Sequence, residues 1–179
     1  LPLKVTIDDA GGAARFEIGK ETFTLREKEY SEWIHLEFKA GLGIKVGGIA
    51  RFCIQEMQPH FKLYMTPIHI DPAKPAMPIS HPFTYAVYLA KKFGPYATLG
   101  LAEDTWALNE RVIDEGTFLK QAWLIHEERE MQFFDALEKN KDGLVVTVFD
   151  ATDRIQHMFM RYMDPDHPAL RGMERGEYA

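Results

Sequence analysis

The sequence predicts an α+β to α/β protein in which an antiparallel, β-rich portion precedes a region of helices and one buried strand. Three observations carry that expectation. Apolar and polar residues alternate with period two through residues 1–70, five prolines interrupt residues 67–82, and helical periodicity then takes over around one nearly continuous apolar run at residues 144–149.

In the first portion, Leu3, Val5 and Ile7 alternate with Lys4, Thr6 and Asp8, and Ala14, Phe16 and Ile18 alternate with Arg15 and Glu17. Phe23 and Leu25 continue the pattern, and Ile34, Leu36 and Phe38 stand against His35, Glu37 and Lys39. Phe52 and Ile54 alternate with Arg51, Cys53 and Gln55, and Phe61, Leu63 and Met65 with Lys62, Tyr64 and Thr66. Such alternation gives each strand one buried face, as in antiparallel sheets. Gly11-Gly12, Gly19-Lys20 and Gly41-Leu42-Gly43 supply turns between strands. His35, on a polar face, reads as a solvated surface residue.

The stretch "TPIHIDPAKPAMPISHP" cannot continue a ladder or a helix, because proline lacks the N–H and fixes φ. Residues 71–82 therefore read as an extended connector between a β-rich portion, residues 1–70, and a helical portion with one buried strand, residues 83–179. His69, Asp71 and His81 read as ordinary residues of such a connector.

Beyond it, "FTYAVYLAKKFG" predicts a helix stopped by Gly94-Pro95, and "AEDTWALNERVID" predicts another. Residues 117–140 predict a longer helix whose Leu119, Trp123, Met131, Phe134 and Leu137 fall within one stripe about 120° wide. His126, Glu127 and Glu130 interrupt that stripe and read as an outward-facing patch rather than a chelating cluster. The helix should end at Asn140-Lys141-Asp142-Gly143. Leu144 to Phe149 then suits a strand buried on both faces, as in a parallel sheet between helices.

The formal net charge is −6, which disfavours a nucleic-acid partner because phosphate backbones select basic surfaces. Cys53 is the single cysteine, so no internal disulfide forms and the compartment stays open. No apolar run approaches the roughly 18 residues of a membrane span. The chain starts at Leu1, which suggests excision from a longer protein.

Chemistry concentrates in "FDATDRIQH". With residues 153–163 helical, Asp153 and His157 stand one turn apart on one face, and a carboxylate oxygen and an imidazole nitrogen can meet on one divalent ion. Asp153-Arg-Ile-Gln156 equally has the form of a helix capping box, which would make His157 incidental. Two ligands do not fix a catalytic zinc, for which three protein ligands are usual. His167, in "DPDHPA", is a candidate third ligand or a plain loop residue.

The segments "FKLYMTPIHIDPAKPAMPISHP", "EDTWALNE" and "FDATDRIQHMFMRYMDPDHPA" together resemble the alkaline phosphatase superfamily, most closely its type I phosphodiesterase/nucleotide pyrophosphatase group of microbial phosphohydrolases and phosphomutases. The resemblance implies an α/β core holding two divalent metals, usually zinc, and a Thr or Ser nucleophile that takes the phosphoryl group. It assigns Asp153 and His157 to one metal and makes the β-rich portion a roof over the core. It also implies that the nucleophile and an early metal-binding Asp precede residue 1, and that an Asp-His pair and a final His follow residue 179. Thr152 does not match the nucleophile position. The chain is accordingly expected to be an internal fragment with two of six metal ligands, to be inactive alone, and to serve phosphate-ester small-molecule chemistry in the intact protein. A non-catalytic β-rich binding module and a phosphomutase of the same superfamily are the competing readings. Exposed edges of a truncated core would favour a homo-oligomer, formed through the free side of residues 144–149.

Overall fold

The structure, a computed structural model, describes residues 1–8, 12–39, 45–164 and 166–170. The expected turns at Gly11 and Gly41-Leu42-Gly43 lie outside the described residues. The architecture is α+β, and the chain divides into two compact units, Leu1–Ala102 and Glu103–Ala179. The division falls after the connector and the first helix rather than at residues 71–82.

The first unit holds eight described strands: β1 (Leu3–Asp8), β2 (Ala13–Ile18), β3 (Glu21–Arg26), β4 (Ile34–Lys39), β5 (Lys45–Ala50), β6 (Phe52–Glu56), β7 (Lys62–Met65) and β8 (His69–Ile70). They form three antiparallel sheets, ordered β1-β2-β3, β4-β5-β8 and β6-β7. The apolar sides of β2, β3 and β4 are buried as their alternation requires, with Phe16, Leu25, Ile34 and Leu36 in one core with Phe52 and Ile54. Phe16 and Phe23 are cross-strand partners whose rings stack at 5.0 Å, and Phe23 lies 5.4 Å from Phe52. Offset aromatic contacts of this kind add to the burial that holds the sheets together.

Two strands depart from the alternation. β6 is buried on both faces, so Arg51, Cys53 and Gln55 lie inside with Phe52 and Ile54. Ser31 serves its start: the Phe52 N–H donates to the Ser31 hydroxyl at 2.9 Å, and the Arg51 guanidinium donates to the Ser31 carbonyl at 2.8 Å. Along β7 and its flanking residues, Phe61 and Leu63 pack against the core as the alternation predicts, but Met65 is exposed, and Tyr64 and Thr66 on the expected polar side are buried as well.

The helix α1 (Thr84–Phe93) ends at Gly94, whose φ of 89° is a conformation open to glycine that breaks the helix before Pro95. Its inner residues Leu89 and Ala90 pack on Tyr96.

The second unit comprises α2 (Thr105–Asn109), α3 (Glu115–Lys139) and α4 (Ala151–Phe159), followed by a 3₁₀ turn at Met160–Met163. Asp104 and Asp114 cap α2 and α3 by accepting the N–H groups of Ala107 and Thr117. α3 buries a different face from the expected stripe. Phe118, Ala122 and Ile125 go inside together with Thr117, Gln121, Glu128 and Asp135, while Trp123, Met131, Phe134 and Leu137 are exposed. Two of these polar residues have partners that offset their burial: Gln121 accepts the Asp104 N–H at 2.7 Å, and Asp135 Oδ1 pairs with Lys139 at 3.5 Å.

The expected buried strand at Leu144–Phe149 is also corrected. The segment forms no strand, and Leu144, Val146 and Val148 are 86%, 75% and 74% exposed. Phe149 turns back onto α3, with its ring 5.4 Å from His126 and 5.6 Å from Phe133. A strand needs a neighbour for its N–H and C=O groups, and apolarity alone does not provide one.

Phe16 lies at the centre of the first unit and is fully buried. Phe16→Ala is expected to lower unfolding stability by about 3–5 kcal/mol, read from urea denaturation of the whole chain.

Candidate metal centre

α4 starts at Asp150, the N-cap residue, whose carbonyl accepts the Arg154 N–H at 3.0 Å, and Ala151 is buried beneath its first turn. Asp153 is therefore an interior residue of that turn and not the cap of a capping box. An acid in the first turn and a His in the last both suit the helix dipole.

Asp153 and His157 emerge on one face. Asp153 Oδ1 and His157 Nε2 are 3.3 Å apart, and the two side chains are 57% and 71% exposed. The second carboxylate oxygen, Oδ2, lies 3.5 Å from the Arg154 guanidinium. Each oxygen of Asp153 thus has its own neighbour: one is oriented by Arg154, and the other is directed beside the imidazole.

The donor set fits a divalent cation in kind and in spacing. A tetrahedral zinc bound at about 2.0–2.1 Å by each donor holds those donors roughly 3.3 Å apart. Among the described residues, no group of three or more His, Cys, Asp and Glu side chains gathers to hold a metal ion. The pair alone falls short of the three protein ligands usual for a catalytic zinc.

The other sequence candidates lie elsewhere. His167 turns its Nδ1 to the Ala169 N–H at 3.2 Å, closing a local turn. His126 packs between the rings of Trp123 and Phe149, and Glu127 accepts the Trp123 indole N–H at 3.0 Å. α3 runs through this region without interruption. The Thr152 hydroxyl donates to the Phe149 carbonyl at 3.1 Å. His81 is exposed and precedes a cis peptide bond to Pro82.

Two arrangements in the first unit were not legible from spacing. His35 lies with Nδ1 3.3 Å from Oδ2 of Asp71, a buried carboxylate whose other oxygen accepts the Ala73 N–H at 2.8 Å. Gly47 lies alongside, where a Cβ would make only an ordinary contact with Asp71 Oδ2 at 3.7 Å. The neighbouring Gly48 admits β8 itself: a Cβ at that position would meet the Ile68 side chain at 2.5 Å. His69 is buried edge-on against Trp33 at 4.8 Å, with the Arg51 guanidinium over the same indole at 4.8 Å. Its Nδ1 accepts the N–H groups of Thr98 at 2.9 Å and Leu99 at 3.4 Å, which makes it a neutral structural acceptor.

Burial, reinforced by the charge of Arg51, pushes the His69 pKa down to about 4 from 6.5. Between those values the unfolded chain binds a proton that the folded chain does not. The contribution of His69 is therefore complete above pH 6.5 and is lost as the pH falls toward 4, by roughly 3 kcal/mol in all. Urea midpoints measured at pH 7 and pH 4.5 should fall further for the wild-type chain than for His69→Gln; equal falls would exclude this source.

The chain matches no protein-family model, no curated protein and no solved structure.

Proposed function

We propose that this chain supplies part of the metal centre of a phosphoester hydrolase of the phosphodiesterase/nucleotide pyrophosphatase type. The observation that carries the reading is the Asp153 Oδ1 to His157 Nε2 separation of 3.3 Å, which matches the edge of a zinc tetrahedron, on a solvent-facing side of α4. The resemblance of "FDATDRIQHMF" to the superfamily's metal-binding element supports the same assignment. Asp153 and His157 would hold one of two divalent ions, zinc by the chemistry of the donors. The remaining ligands and the Thr or Ser nucleophile would come from segments beyond residues 1–179, and the β-rich portion would contact the leaving group of a small phosphate ester.

A divalent ion in such a site polarises the phosphoryl oxygens and lowers the pKa of bound water. What the chain's own residues contribute is placement. Asp153 supplies a hard anionic oxygen, His157 supplies an imidazole nitrogen one helical turn away, and Arg154 holds the spare carboxylate oxygen.

The test uses the intact protein with zinc or manganese and generic phosphate mono- and diesters. Asp153→Ala and His157→Ala should each reduce kcat/KM by about a hundredfold or more. Their exposed positions mean that unfolding stability should stay within about 0.5 kcal/mol of wild type. Full activity in both variants would remove the metal role.

A further inference from the structure

We propose that Arg129 is a positioning residue that fixes the start of α4, and with it the Asp153–His157 pair, by bridging Glu103 and Asp150. The consequence for metal binding rests on the hydrolase reading above; the anchoring geometry does not.

Arg129 projects from α3, and its largely buried guanidinium lies between two carboxylates. Its Nη1 is 3.8 Å from Glu103 Oε1 and forms an ion pair with Asp150 Oδ1. Glu103 is completely buried, and among the described residues neither of its oxygens has a hydrogen-bond partner, so Arg129 is the charge that balances it. A guanidinium held by a fully buried acid is not free to wander, and it presents a fixed cation to Asp150.

Asp150 occupies the N-cap of α4, where an Asp side chain ordinarily accepts an N–H from the first turn. Here it makes no such bond. Its carboxylate is turned to Arg129 instead, so the connection between α3 and the beginning of α4 replaces the usual cap. α4 has nine residues, too few to be stable without tertiary support. Its far end has a separate tether: Glu115, at the start of α3, accepts from Arg161 at 2.6 Å and from the Tyr162 hydroxyl, and Phe159 lies 6.0 Å from Phe118. The two tethers act on opposite ends, and the Arg129 tether adjoins the turn that carries Asp153, where it adds a polar anchor to the packing of Phe149 on α3. Without it, the first turn can fray or rotate while the far end stays attached, and the separation of Oδ1 from Nε2 is no longer set.

The experiment uses the whole chain and two readouts: amide hydrogen exchange, and the ¹⁵N shifts of the His157 ring during titration with Zn²⁺ alone. Arg129→Met combined with Glu103→Gln removes both charges, so that no buried carboxylate is left unpaired. In this variant, exchange at residues 151–157 should accelerate about tenfold or more, while residues 118–125 of α3 keep wild-type protection. Apparent zinc affinity at His157 should weaken about tenfold, and Arg129→Lys should recover much of both effects. If the double variant does not fold, Asp150→Ala, which leaves the Glu103–Arg129 contact in place, should produce the same local loss. Unchanged exchange at residues 151–157 in the folded variant would overturn the positioning role whatever zinc does. A wild-type His157 that ignores zinc would sink the hydrolase reading, while the exchange data would still decide on the anchor.

Discussion

A buried charge cannot be left alone, and the second unit is organised by that constraint. α3 turns inward a face carrying Gln121, Glu128 and Asp135, with Arg129 beside them, and leaves its aromatic and aliphatic stripe outside. Desolvating such groups costs more than several exposed methyl groups would recover, unless each is matched. The matches dictate the packing. Gln121 takes the backbone of Asp104, Lys139 takes Asp135, and Arg129 draws Glu103 and Asp150 toward one point. Where α4 begins is a consequence of where those charges can be neutralised.

The candidate ligands inherit their placement from this arrangement. Asp153 and His157 are solvent-facing and hold little of the fold together, so their geometry is set by the helix that bears them. In the first unit the division of labour is the reverse. There the polar groups that resemble a site on paper, His69 and Asp71, are spent on structure: His69 receives two backbone N–H groups, and Asp71 closes the turn into Ala73. A titratable side chain in a Pro-rich connector was as ready to be a fastener as a reagent, and these two are fasteners.

Sequence patterns were readable where one side chain per position decides the outcome. The inward faces of β2, β3 and β4 follow from alternation, the stop of α1 follows from Gly94-Pro95, and the shared face of Asp153 and His157 follows from a spacing of four. They were unreadable where the decision belongs to a partner distant in sequence. β5 contains Gly47-Gly48 and shows no alternation, yet it is a strand because β4 and β8 flank it. The pairing of Asp71 with His35 joins residues far apart in the sequence, which no local spacing announces. Hydrophobic periodicity points to the wrong face of α3, because it counts apolar residues and is blind to the acids' partners. Leu144 to Phe149 has the composition of an inner strand, but hydrogen bonding to a neighbour, not composition, makes a strand.

The outward-facing Leu144, Val146 and Val148 bear on how this stretch can drift. These side chains contribute almost nothing to the folding free energy of the unit that carries them, because folding leaves them in water much as unfolding would. Replacement by serine or lysine would pass unnoticed by that unit's own thermodynamics. Retention of aliphatic residues at these three positions is therefore not something that the folding of residues 103–170 can enforce.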